Sequence, residues 1–218
     1  MGAVRARRTA VGLGLVFVVL ALLVVSEWPP LMDADAEAVV AGTDFAREHG
    51  TYRRFMKTAT FLLNSGPIVI YTSVIAIAVA AAGRPGAAIW LTAVVSVGSV
   101  LNPVLKQVFD RERPDVVVPV ESFDGLSFPS GHAASAALMC AALALVFLPR
   151  RTRRGRVALV LAIVAIPLLS GWTRITLGGH YPSDVVGGMV WAIAWVAAWS
   201  PALPRLERAL SGRTFRRR

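Results

Sequence analysis

The sequence has one cysteine, two lysines, three histidines and only 13 acidic residues. A lone cysteine excludes a disulfide within the chain. Cys140 lies in an apolar stretch, so it reads as a packing residue and not as a nucleophile. Charge is scarce: 17% of residues are Asp, Glu, Lys or Arg, against 56% hydrophobic. A soluble domain of this size carries more.

What the sequence does hold is six charge-free runs, at 9–26, 58–83, 85–105, 133–149, 157–173 and 185–204. The shortest two have 17 residues, which is the lower limit of about 17 for a helix that crosses the hydrocarbon core. One or two such runs fit buried helices of a soluble protein. Six leave too little polar surface to cover them. We expect an all-α bundle of six transmembrane helices at about 9–25, 58–82, 86–105, 133–148, 157–172 and 183–199, forming a single domain over residues 1–218. Gly and Pro within these runs are tolerated in membrane helices.

The net charge of +10 raises the question of nucleic acid, but its distribution points to a membrane. With the N-terminus cytoplasmic and every run crossing, the cytoplasmic pieces hold 15 of the 23 Lys and Arg, and Glu207 is their one acid. Basic residues favour short cytoplasmic loops and meet anionic lipid there. No nucleic-acid partner is implied, and residues 205–218 read as a basic cytoplasmic tail. The first run also has the look of a secretory signal. No typical cleavage site follows it directly, so we expect it to be retained. Residues 27–57 then form an extracytoplasmic loop, with a short interfacial helix near Asp33–Val40.

Three polar motifs adjoin the spans. Lys106 and Arg113-Pro114 follow the third; alone they fit snorkelling cations at a boundary. Phe128-Pro129-Ser130-Gly131-His132 precedes the fourth. Gly131 admits close backbone approach, the free N–H groups of the helix start favour an anion, Ser130 adds a hydroxyl, and His132 stands where a proton is given to a leaving group. Its plainer reading is a helix cap. In the third motif Arg174 is followed by His180 and Asp184. Pro182 suits a helix start, which puts Asp184 in the first turn of the sixth span. A carboxylate beside one imidazole nitrogen fixes the tautomer and leaves the other nitrogen as the lone pair. The plainer reading is a solvated histidine near an interfacial acid. His49 has no such company and reads as surface. Asp110, Glu112 and Asp115, interleaved with Arg111 and Arg113, read as local ion pairs.

Together these motifs fall on one side of the membrane and resemble the three-part signature of the type 2 phosphatidic acid phosphatases. The one departure is Thr173, where the family usually has serine; a hydroxyl is retained. That superfamily also contains undecaprenyl pyrophosphate phosphatases, phosphatidylglycerophosphate phosphatases, glucose-6-phosphatase and the vanadium haloperoxidases. The resemblance implies an active site at the extracytoplasmic ends of spans three, four and six. It implies that Lys106, Arg113, Ser130, Gly131 and Arg174 hold phosphate, that His180 attacks phosphorus, that Asp184 orients it, and that His132 serves as acid and then base. It implies no cofactor and no metal; the motif acids are too few for a bridged two-metal centre. The expected partner is a membrane lipid phosphate such as undecaprenyl pyrophosphate, phosphatidic acid or phosphatidylglycerophosphate. A haloperoxidase is disfavoured by the six spans. A lipid-binding or transport protein of the same fold, and a lipid phosphotransferase using the same pocket, are the competing readings; oligomeric state is open. Arginine-rich, lysine-poor usage points to a GC-rich bacterial genome, and so to the cytoplasmic membrane of a bacterium.

Overall fold

A computed structural model describes residues 2–115, 120, 121 and 123–214, the last four through their backbone alone. The described residues are helical with no strand: α1 (Ala3–Val25), α2 (Pro29–Glu48), α3 (Gly50–Leu62), α4 (Ser65–Ala81), α5 (Pro85–Phe109), α6 (Gly131–Phe147), α7 (Arg153–Thr176), α8 (Pro182–Trp199) and α9 (Ala202–Thr214), with a single 3-10 turn at Leu148–Arg150.

α6 is the central helix. Ala133, Ala134, Ala136, Ala137 and Ala142 are all buried, and these small side chains let α5, α7 and α8 close around it. α1 lies along α8, and α4 along α5. The large apolar side chains that face outward, including Leu15, Leu22, Ile70, Ile77, Val100 and Val104, would be a liability in water. They suit a hydrocarbon solvent, in which backbone polar groups must be satisfied within each helix. Two indole N–H groups follow the same rule. Trp90 donates to the Trp199 carbonyl at 2.8 Å and Trp195 to the Val94 carbonyl at 3.0 Å, which also locks α5 to α8.

α1, α5, α7, and α6 with its 3-10 turn, are each long and apolar enough to cross a membrane; counting each of two bent pairs as one span brings the number to six. The expected second span, 58–82, is not continuous. Asn64 interrupts it, accepting a hydrogen bond from the Ser65 N–H at 2.6 Å, and α3 meets α4 at 52°. An asparagine cap stops one helix and starts the next.

Several ends also differ from the sequence expectation. The loop expected at 27–57 is almost wholly helical, as α2 and the start of α3. α5 runs past Lys106 to Phe109, and α7 runs to Thr176, so Lys106 and Arg174 project from last turns and not from loops. The expected tail from residue 205 is helix α9 as far as Thr214, bent 45° from α8. Arg84 holds it through Glu207 at 2.8 Å. Cys140 is buried beside Ile68, Ala136 and Met139, a packing position.

Candidate active site

The three motifs meet at one end of the bundle. His180 lies in the short connection between α7 and α8, 2% exposed. Arg174 shapes that connection: its carbonyl accepts the Gly179 N–H at 2.8 Å and the His180 N–H at 3.2 Å. Gly178 has φ +83° and closes the end of α7. A Cβ on Gly179 would lie 2.8 Å from Arg174 Nη2, so this position needs glycine for space.

Asp184 is fully buried in the first turn of α8. Its Oδ2 lies 3.3 Å from His180 Nδ1 and accepts the Tyr181 N–H at 2.9 Å. The tautomer that satisfies this contact carries its proton on Nδ1 and leaves the lone pair on Nε2. Nε2 lies 3.3 Å from Arg113 Nη1, which also donates to the Gly179 carbonyl at 2.6 Å.

Three cations flank the ring. Arg113 is anchored by Nε to the carbonyls of Asp124 and Gly125 at 3.0 and 2.8 Å. Arg174 donates from Nη1 to Thr60 Oγ1 on α3 at 3.1 Å, while its Nε is buried with no hydrogen-bond partner. Phe123 lies under both guanidiniums, 4.2 Å from Arg174 Cζ and 5.7 Å from Arg113 Cζ. Lys106 donates to the carbonyls of Leu126 and Ser127. Burial, then the charges of Lys106, Arg113 and Arg174, hold His180 well below its ordinary value of 6.5, so its ring is neutral at pH 7.

The second motif completes the site. Ser130 caps α6 and is fully buried, and its Oγ has no hydrogen-bond partner. Its N–H donates to the Asp184 carbonyl at 2.9 Å, tying the motif to α8. Gly131 and His132 open α6. A Cβ on Gly131 would come within 3.2 Å of Asn102 Nδ2. His132 is partly buried and close enough to feel the charges of Arg174, Lys106 and Arg113. All eight residues expected from the sequence therefore gather here.

This closeness rests on one glycine in α8. A Cβ on Gly188 would lie 2.5 Å from the Ser130 carbonyl oxygen. Gly188→Ala is expected to push α8 off the start of α6 and cost about 1–3 kcal/mol, typical of overpacking. A lower melting temperature in detergent is the readout, and an unchanged one would show that the helices yield.

Sequence reasoning did not single out Arg111, Asp35, Ser183, Thr60 or Asn102. Arg111 does not pair with Asp110, Glu112 or Asp115 as expected. Its two terminal nitrogens reach Asp184 Oδ1 at 2.6 Å and Asp35 Oδ2 at 2.8 Å. Its place two residues before Arg113 was a usable signal. Nothing in the row Asp33-Ala34-Asp35-Ala36-Glu37 distinguishes Asp35 from its neighbours; only the fold does. His49 lies outside the site, stacked on Phe45 at 4.0 Å.

Known proteins resemble this chain in sequence and fold. The sequence model of the PAP2 superfamily matches residues 87–208, more than half of the chain. The lipid A 1-phosphatase of Rhizobium johnstonii is 33% identical over 140 residues, 60% of this chain and 51% of that protein. Phosphatidylglycerophosphatase B of Bacillus subtilis is 37% identical over 91 residues, 40% of this chain and 44% of that protein. The chain thus spans about half the length of the curated relatives it matches. The crystal structure of a transmembrane PAP2 type phosphatidylglycerolphosphate phosphatase from Bacillus subtilis superimposes with a TM-score of 0.71 at 23% identity, over 96% of this chain and 98% of that one. At that identity the likeness speaks for the fold. With up to six spans by length and composition, the chain is an integral membrane protein, and it belongs to the PAP2 superfamily.

Proposed function

We propose that the chain is a lipid phosphatase that works without metal, through a phosphohistidine on His180. One observation carries this reading: His180 Nε2 is buried among Lys106, Arg113 and Arg174, with Asp184 behind Nδ1. A neutral nucleophile ringed by cations suits an electrophile that brings its own negative charge. Arg174 Nε and Ser130 Oγ, both buried without partners, supply donors for phosphate oxygens. Buried polar groups seldom stay unsatisfied.

In the first half-reaction the Nε2 lone pair forms a bond to phosphorus as the P–O bond to the leaving group breaks. The three cations and the Ser130 hydroxyl hold the equatorial oxygens, and Gly131 lets the start of α6 approach them. His132 gives its proton to the departing oxygen. The charge of a bound phosphate favours the imidazolium form that this step needs. Asp184 stabilises the positive charge that grows on His180. In the second half-reaction His132 takes a proton from water, whose oxygen bonds to phosphorus as the P–N bond breaks, releasing phosphate and restoring His180.

The relatives narrow the substrate to a lipid phosphate or pyrophosphate. Their names cover lipid A 1-phosphate, phosphatidylglycerophosphate, decaprenylphosphoryl-5-phosphoribose and undecaprenyl diphosphate; phosphatidic acid is the further candidate. The site faces the outside of the cell and both ends of the chain face the cytoplasm. The concentration of basic residues in the pieces remote from the site supports this orientation. A phosphate-release panel over these lipids in detergent is the direct test, and inertness toward all of them would end the reading.

The donor set makes a sharper prediction. Lys106, Arg113 and Arg174 around His180, with the buried carboxylates of Asp184 and Asp35 already held by Arg111, suit an anion better than a divalent metal. Turnover is therefore expected to persist in a chelator and to be blocked by vanadate, which adopts the five-coordinate geometry of the transition state. Loss of activity in the chelator, restored by an added divalent ion, would contradict it.

A further inference from the structure

The mechanism leaves one buried cation of the first motif unused. Arg111 follows α5, between Lys106 and Arg113. Its Nη1 donates to Asp184 Oδ1 at 2.6 Å and to Ser183 Oγ at 2.7 Å. Its Nη2 donates to Asp35 Oδ2 at 2.8 Å, and its Cζ stands 4.1 Å over the ring of Tyr181. Asp35 reaches in from α2. It accepts the Ser183 N–H on Oδ1 at 2.9 Å, and the Ser183 hydroxyl on Oδ2. The three side chains are 10%, 2% and 0% exposed for Arg111, Asp35 and Asp184. One guanidinium thus spans two buried carboxylates.

The geometry divides the work between the oxygens of Asp184. Oδ2 serves Tyr181 N–H and His180 Nδ1; Oδ1 serves Arg111. A carboxylate held through Oδ2 alone can turn about its last torsion, which is broad. Arg111 removes that freedom, and Asp35 in turn fixes Arg111. We propose that Arg111 and Asp35 are positioning residues: Asp35 seats the Arg111 guanidinium, and Arg111 holds Asp184 so that it faces His180. The proposal rests on the reading of His180 as nucleophile. It also gives α2 a task. Asp35 lies outside residues 87–208 matched by the family, so this support comes from the N-terminal part of the chain.

A planar fork is required here. Lysine keeps the charge but reaches one carboxylate at a time. Arg111→Met leaves two buried carboxylates without their partner, whereas Arg111→Met combined with Asp35→Asn removes one charge of each sign. Breaking a buried pair on one side alone is the costlier change, so the double variant guards against a failure to fold.

The tautomer of His180 is the direct readout, because it needs no turnover. The chain has three histidines, so 15N-histidine labelling of the full chain in detergent gives three pairs of ring-nitrogen signals, Nδ1 and Nε2 of each ring. His49→Gln and His132→Gln assign them. In the wild type at pH 7.5, His180 is expected in one tautomer, protonated on Nδ1. In Arg111→Met, Asp35→Asn and the double variant it is expected as a mixture; Arg111→Lys is expected in between. With phosphatidic acid in micelles as probe, kcat of Arg111→Met is expected to fall at least about tenfold, with KM within about threefold. Adding Asp35→Asn to Arg111→Met is expected to lower kcat no further. A single Nδ1–H tautomer with wild-type kcat in the double variant overturns the proposal. So does a lower melting temperature with tautomer and kcat unchanged, or failure of every variant to fold, since either assigns the network to stability alone. If the wild type releases no phosphate from any lipid while its tautomer still depends on Arg111, the phosphatase reading fails and the positioning role stands.

Discussion

His180→Ala is expected to abolish phosphate release, lowering kcat at least about a thousandfold, as removal of a nucleophile from a concerted site does. The loss should come without unfolding. His180 is held by backbone bonds to Arg174, and alanine at 180 keeps its own N–H. An unchanged melting temperature beside lost turnover identifies a chemical role, whereas retained turnover removes His180 from the mechanism. Rapid quenching into base is expected to trap a phosphorylated chain, because a phosphohistidine survives alkali and is lost in acid. The label should vanish in His180→Ala. It should accumulate in His132→Ala given a good leaving group, since the second half-reaction then lacks its base.

The pH profile offers an independent check on the same residue. The groups that face His180 are Lys106 from α5, Arg113 from the loop after it, Arg174 from α7, His132 from α6 and Asp184 from α8. Burial, followed by the three cations, pushes its pKa well below 6.5. In the proposed mechanism the neutral ring is the nucleophile, so kcat/KM should not fall as pH drops through 6.5, and the acid limb should lie lower. A limb that tracks His180 at 6.5 or above would mean that burial and the cations do not act as the geometry requires.

The sequence made the site legible and the frame around it less so. Lys106, Arg113, Ser130, His132, Arg174, His180 and Asp184 are placed by short local patterns, each tied to a helix end, and a helix end has a fixed geometry. Pro182 illustrates this: it opens α8 and sets Asp184 four residues after His180 on the inner face. The break at Asn64 was hidden because charge-free runs mark the spans, and asparagine carries no charge. Of α2 only the middle was expected, as a short helix near Asp33–Val40, and its docking was hidden for a different reason. Its partners are Ser183, Arg111 and Thr176, more than 75 residues away, and a long-range contact leaves no trace in local periodicity. Arg111 was misassigned because adjacency in sequence suggested Asp110 and Glu112. Asp110, left-handed at φ +49°, ends α5, and the Arg111 side chain beyond it reaches α8, where low local dielectric strengthens its attraction to Asp184.

The second large effect is expected at Arg174. It is 5% exposed, packed on Phe123, and held at one nitrogen by Thr60. Its free Nε is the donor best prepared to meet phosphate, because the rest of the guanidinium is already fixed. A preorganised donor costs nothing to reorient when charge develops, and removing one typically lowers kcat by about a hundred to a thousandfold. Arg174→Ala is expected to lose that much or more, since a full charge goes with the donor. Arg174→Lys should recover little: an ammonium cannot keep Thr60, Phe123 and the phosphate at once. Thr60→Val tests the preorganisation alone. It leaves the charge and the fork but removes one anchor worth about 1 kcal/mol, so a loss of roughly fivefold is expected. The ordering matters more than any single value. If Thr60→Val and Arg174→Ala lost activity equally, Arg174 would be acting through the seating of α3 and not on the phosphate. If Arg174→Lys were fully active, the site would need only a positive charge there, and the fork would carry no part of the catalysis.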